Sequence, residues 1–76
     1  MLASALDHLV RGIVDHPDEV RVDRAASPRG EVLEVHVHSE DLGRVIGRSG
    51  RTAKALRTIV TALADGARVR VDVIDD

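Results

Sequence analysis

Gly47 and Gly50 sit three apart, between an apolar pair, Val45-Ile46, and a run of helix formers, Arg51 to Ala64. This spacing constrains the fold more than any other feature of the chain. Two residues without a Cβ bracket Arg48 and Ser49, so the backbone can reverse tightly and lie close to another molecule. The turn also opens a helix. Free N–H groups at a helix start sit at the positive end of the dipole, where anions bind readily. Arg44, Arg48, Arg51, Lys54 and Arg57 flank the turn.

Charge sharpens this reading. The 14 residues from Arg44 to Arg57 hold five basic side chains and no acid, a segment charge of +5. The whole chain carries 11 basic and 13 acidic residues, a net of −2, which leaves −7 for the remainder. One concentrated positive patch on a weakly acidic chain suits a local polyanion site. A charge run is more often a solvated helix face, but the lack of any compensating acid favours the site.

Seventy-six residues suit one small domain with a modest core. Without cysteine, neither a disulfide nor a thiolate metal site can form. No apolar run approaches bilayer length, and the first residues, Met1 to Asp7, lack the basic and apolar regions of a signal peptide. The expected location is the cytoplasm, with no membrane partner. The chain has no aromatic residue, so its core is built from Leu, Ile, Val and Ala. Base stacking on aromatic rings is impossible, which argues against an RRM and the aromatic forms of the OB-fold.

Leu2, Leu6, Leu9, Val10, Ile13 and Val14 recur at helical spacing, in a helix that must end before Pro17. Val20 and Val22 alternate with charged residues in a short strand. Ser27-Pro28-Arg29-Gly30 is a turn, and Leu33, Val35 and Val37 mark a second strand that completes a hairpin. Ser39, followed by Glu40 and Asp41, reads as the cap of a short helix ending near Ile46. The next helix buries Ala53, Leu56, Ile59, Val60 and Leu63, with Arg51, Lys54 and Arg57 in an adjacent stripe. Asp65-Gly66 ends it. Val69, Val71 and Val73 form a last strand, and the acidic tail from Asp72 to Asp76 is expected to fray. Two helices separate the second and third strands, a crossover that suits parallel pairing. The expected fold is α+β, in the order α-β-β-α-α-β, with a three-stranded mixed sheet and its helices on one face.

The run Leu42-Gly43-Arg44-Val45-Ile46-Gly47-Arg48-Ser49-Gly50-Arg51-Thr52-Ala53-Lys54-Ala55-Leu56-Arg57 resembles the core of a KH domain, with its [VI]-I-G-x-x-G pattern between two helices. The element order resembles the type II, prokaryotic arrangement. Length and motif together resemble the small bacterial single-KH RNA-binding proteins of the KhpA family. The resemblance spans nearly the whole chain and implies one KH domain over residues 1–76. It implies that single-stranded RNA is held at the glycine loop, 47–50, about four nucleotides at a time. On this reading Gly47 and Gly50 admit phosphates to the backbone, Arg48 and Ser49 donate to them, and Arg44, Arg51 and Lys54 add contacts. Ile46 and Leu42 anchor the loop or line an apolar groove, and bases lie near Val69 to Val71. The short Ala64 to Ala67 connector matches the type II variable loop, so sequence selectivity is expected to be weak. The resemblance further implies an RNA chaperone linked to cell shape and envelope synthesis. It also implies self-association, or pairing with a larger Jag-type KH protein, KhpB.

Other readings fare worse. A P-loop and a dinucleotide fingerprint both require glycine where Val45 stands. Ser49 lacks a histidine–carboxylate pair to activate it. His36 and His38, two apart on one strand face, could share a ligand, but the sequence offers no third nearby. No cofactor, metal or catalytic role is expected. The alternative of a different class is a protein–protein assembly module that uses the KH fold mainly for dimerisation.

Overall fold

The computed structural model describes residues 2–74. The apolar stripe of the first helix, α1 (Leu2–Arg11), turns Leu6 and Val10 fully into the core. The helix is shorter than the apolar repeat suggested. It stops at Arg11, and Ile13 and Val14 pack against the core from the following turn. Arg11 pairs with Asp7 one turn earlier. It also donates to the Pro17 carbonyl at 2.7 Å, fastening a 3₁₀ turn, Pro17–Glu19, beneath the helix end.

Strands β1 (Arg21–Ser27) and β2 (Gly30–His36) form the expected antiparallel hairpin, and β3 (Val69–Val73) joins β2 in parallel. β1 is longer than read from sequence, because Ala25, Ala26 and Ser27 pair with β2 despite weak strand propensity. Val37 lies beyond the end of β2. Alternation sends Leu33, Val35 and Val71 to one face, where they meet α1 and α3 (Arg51–Leu63). The opposite face is polar: Asp23 lies 3.3 Å from His36, and Arg70 donates to Asp72 at 2.9 Å. The helices therefore cover one side only. The tail is held further than expected. Asp72 and Val73 belong to β3, and the Ile74 N–H donates to the Val35 carbonyl at 2.9 Å, while Asp75 and Asp76 lie outside the described residues. Among the described residues no helix is long and apolar enough to cross a membrane.

Asp41 is the one buried charge among the described residues, at 1 % exposure. Its carboxylate accepts the N–H groups of Asp15 at 3.1 Å and His16 at 2.9 Å, and faces His16 Nδ1 at 2.9 Å. It thereby pins the segment after α1 to the start of α2 (Leu42–Ile46). Ser39 is not the cap; the His38 ring accepts the Glu40 N–H at 3.0 Å as a 3₁₀ turn, Ser39–Asp41, begins. Burial alone would push the Asp41 carboxyl up, but the N–H donors and the His16 ring outweigh it and hold it low. The Asp41 hydrogen bond in turn raises His16. A raised histidine stabilises the fold fully below its ordinary value of 6.5 and loses that contribution as pH rises through the raised value. A lowered carboxyl contributes above its ordinary 3.8 and loses that contribution as pH falls through the lowered value. Asp41→Asn is therefore expected to lower the melting temperature and to flatten its decline as pH rises above the ordinary histidine value of 6.5, as read by calorimetry. An unchanged pH profile in the variant would show that the pair contributes nothing.

Candidate nucleic-acid interface

The glycine turn is built by three left-handed residues. Gly47 adopts φ 78°, ψ 170°, a conformation open essentially to glycine alone. Ser49 (φ 57°) and Gly50 (φ 73°) follow in the left-handed helical region. Two of the four turn amides point inward: the Gly47 N–H donates to the Gly43 carbonyl at 2.8 Å, and the Gly50 N–H to the Gly47 carbonyl at 3.1 Å. Those of Arg48 and Ser49, at the exposed tip, make no hydrogen bond among the described residues. The sequence suggested a uniformly open turn; the structure opens its tip and uses its ends to hold the shape.

Arg48, Arg51, Lys54 and Arg57 are exposed and make no ion pair among the described residues. Residues 51, 54 and 57 share one side of α3 with Thr61, away from the side that meets α1. Arg44 differs. Its guanidinium donates to Asp15 at 3.1 Å. Both groups are about half exposed or more, and such surface pairs contribute about 0–1 kcal/mol, so a phosphate can displace the carboxylate. Asp15 carries no local sequence signal for this role; it reaches Arg44 only because Asp41 holds its backbone.

Val45 is fully buried and anchors α2, whereas Ile46 is 38 % exposed beside the turn, with Leu42 half-buried. Ile46 thus adds apolar surface at the site and does not hold the loop down. Of the two β3 valines expected near the bases, Val71 lies in the core and Val69 is partly accessible. An open cleft of about 580 Å³ lies there, between Thr61, the Ala67–Arg70 segment and the β1–β2 turn at Pro28 and Arg29. The hairpin turn supplies a wall that the short connector cannot. Arg68 is exposed at its rim, while Arg70 is tied to Asp72. The 13 residues of α3 separate the glycine turn from this cleft by roughly 20 Å, with the cation stripe running between them.

His36 and His38 are not brought together: His36 faces Asp23 on the sheet, while the His38 ring stacks on His16. Among the described residues Ser49 makes no hydrogen bond to a histidine or a carboxylate, which suits a loop hydroxyl.

A helix–GxxG–helix unit laid on a β-β-β sheet of mixed direction, in this chain order, defines a type II KH domain. The match to the KhpA/KhpB KH-domain family model over residues 3–74 is consistent with it, and the chain belongs to that family. It is 80% identical over 76 residues to the RNA-binding protein KhpA of Leifsonia xyli subsp. xyli, covering all of both chains. It is 61% identical to that of Streptomyces coelicolor, over 99% of this chain and 94% of the relative. The KhpA of Halalkalibacterium halodurans is 45% identical, over 97% of this chain and all of the relative. No solved structure matches the chain.

Proposed function

We propose that this chain binds single-stranded RNA weakly and with little sequence preference, as an RNA chaperone or post-transcriptional regulator in the cytoplasm. The carrying observation is the pair of open amides at Arg48 and Ser49, set beside Arg48, Arg51, Lys54 and Arg57, which have no acidic partner among the described residues. Phosphates meet these amides while Arg51, Lys54 and a released Arg44 hold the strand, and apolar surface at Ile46 and, in the far cleft, at Val69 receives bases. The relatives' name, RNA-binding protein, agrees with this chemistry. A link to cell shape and envelope synthesis rests on the family resemblance alone.

A second reading, assembly with another copy or with a KhpB/Jag-type protein, is favoured by one specific observation. Ile59 and Leu63, which the apolar spacing placed in the core, are 42 % and 56 % exposed. Ile59 borders an apolar groove of about 370 Å³ between α1 and α3, lined also by Leu9 and Ile13. This surface lies on the other side of α3 from the cations, so both functions can coexist.

One salt series tests both. Filter binding to short RNA oligomers is expected to weaken with a log–log slope near −3, from about −0.7 per phosphate over about four contacts. A slope near zero would reject phosphate capture. Solution mass measured in the same buffers is expected to stay dimeric as salt rises, because an apolar contact is not screened. A monomeric mass throughout would reject self-association.

A further inference from the structure

Two segments distant in sequence converge beside the start of α2. His16 precedes the first 3₁₀ turn, His38 follows β2, and Glu40 sits in the second 3₁₀ turn. The two imidazoles stack with centroids 4.1 Å apart and planes 15° from parallel. Each ring has a carboxylate behind one nitrogen. Asp41, almost wholly buried, faces His16 Nδ1 at 2.9 Å. A carboxylate only accepts, so Nδ1 carries the proton, and in the neutral ring Nε2 keeps a lone pair. His38 Nδ1 accepts the Glu40 N–H, so its ring proton lies on Nε2, which faces Glu19 Oε2 at 3.6 Å. The two remaining nitrogens, His16 Nε2 and His38 Nδ1, each lie 3.7 Å from the same oxygen, Glu40 Oε1.

We propose that His16, His38 and Glu40 form a binding site for a first-row divalent transition metal, Zn²⁺ being the probe. Donors around tetrahedral zinc stand about 2.0–2.2 Å from the metal, and hence roughly 3.4 Å from one another. The two 3.7 Å contacts are close to that spacing, and the His38 ring must tilt out of its stack on His16 for both in-plane lone pairs to meet one ion. Imidazole with carboxylate suits zinc, cobalt or nickel better than magnesium or calcium. The Asp41 carboxylate behind His16 fixes that ring's tautomer and raises its basicity, as in known histidine metal sites. Glu40 is exposed and both histidines are part-exposed, so water can enter as the fourth ligand. Binding turns His38 Nδ1 from the Glu40 N–H to the metal, and that amide, on an exposed residue, passes to solvent. A bound ion would brace the 12–16 segment against α2 beside the Asp15–Arg44 pair.

The test uses the tag-free chain, titrated with zinc chloride by calorimetry in a non-chelating buffer, with cobalt absorption as a second readout. One ion per chain is expected, with a tetrahedral cobalt band. Glu40→Gln and His38→Gln should each weaken binding tenfold or more, while His8→Gln, on α1, leaves it unchanged. Glu40 is exposed, so its variant keeps the fold and decides the matter alone if His38→Gln does not. Absence of saturable binding at millimolar zinc would overturn the site, as would undiminished binding in Glu40→Gln.

Discussion

Gly47→Ala is expected to lower the melting temperature by more than about 10 °C and to abolish RNA binding, whereas Gly50→Ala lowers it by roughly 4–16 °C. The two glycines look equivalent in sequence and are not so in space. A Cβ at Gly47 would stand 2.3 Å from Thr52 Oγ1 and 2.8 Å from the Thr52 amide nitrogen. The side chain could rotate away, but the backbone atom cannot. Conformational strain there costs about 1–3 kcal/mol, and overpacking adds about 1–3 kcal/mol. A domain of this length has roughly 4–11 kcal/mol in all, so the variant sits near the edge of folding. At Gly50 nothing lies within 4 Å of the added atom, and only left-handed strain remains, about 1–2 kcal/mol. Gly50→Asp is therefore the cleaner probe of function: it should fold, yet bind RNA worse than Arg57→Ala. Thermal melts with binding on the same samples check this. Equal losses in Gly50→Asp and Arg57→Ala would mean adhesion by bulk charge, with no role for close approach.

The double variant Arg48→Asp, Ser49→Asp is expected to weaken RNA binding at least 100-fold, with the melting temperature almost unchanged. Two hydrogen bonds to charged groups are worth about 1.5–3 kcal/mol each, and each 1.4 kcal/mol is about tenfold in affinity. Charge reversal adds repulsion from the first phosphate. Both side chains are exposed, so the core is untouched. Ser49 is left-handed at φ 57°, and aspartate is among the few residues that adopt this conformation readily. The backbone shape should survive while its charge inverts. Crosslinking to RNA at a moderate, fixed salt concentration is the measurement; retained crosslinking would place the strand elsewhere on the domain.

What could be read from the sequence was local. Alternation found β2 and β3, helical spacing found α1 and α3, and the crossover length found the parallel pair. The turn was legible because its glycines, cations and flanking helices are contiguous. Ends of elements were less so. Ala25 to Ser27 fell outside the strand read at Val20 and Val22, because their strand comes from pairing with β2, not from propensity. Ile59 and Leu63 carry the spacing of core residues, but α3 rests on β3 and α1 through Leu56 and Val60, leaving its outer apolar flank uncovered. Asp41 looked like a helix-start acid, and its true partners, Asp15 and His16, stand about 25 positions earlier. The His16–His38 stack was invisible for the same reason: no local pattern joins a loop to the end of a strand.

The parallel pairing of β2 with β3 has a kinetic consequence. Leu33 faces Val71 only after the whole intervening stretch, glycine turn included, has folded back across the sheet. Contacts that distant along the chain are slow to form, because loop entropy is lost before burial compensates. The turn thus acquires its shape inside a long-range closure of the fold. A nucleotide strand gripping it would recognise only the finished molecule, and so would act as a brake on opening and not as a template for folding.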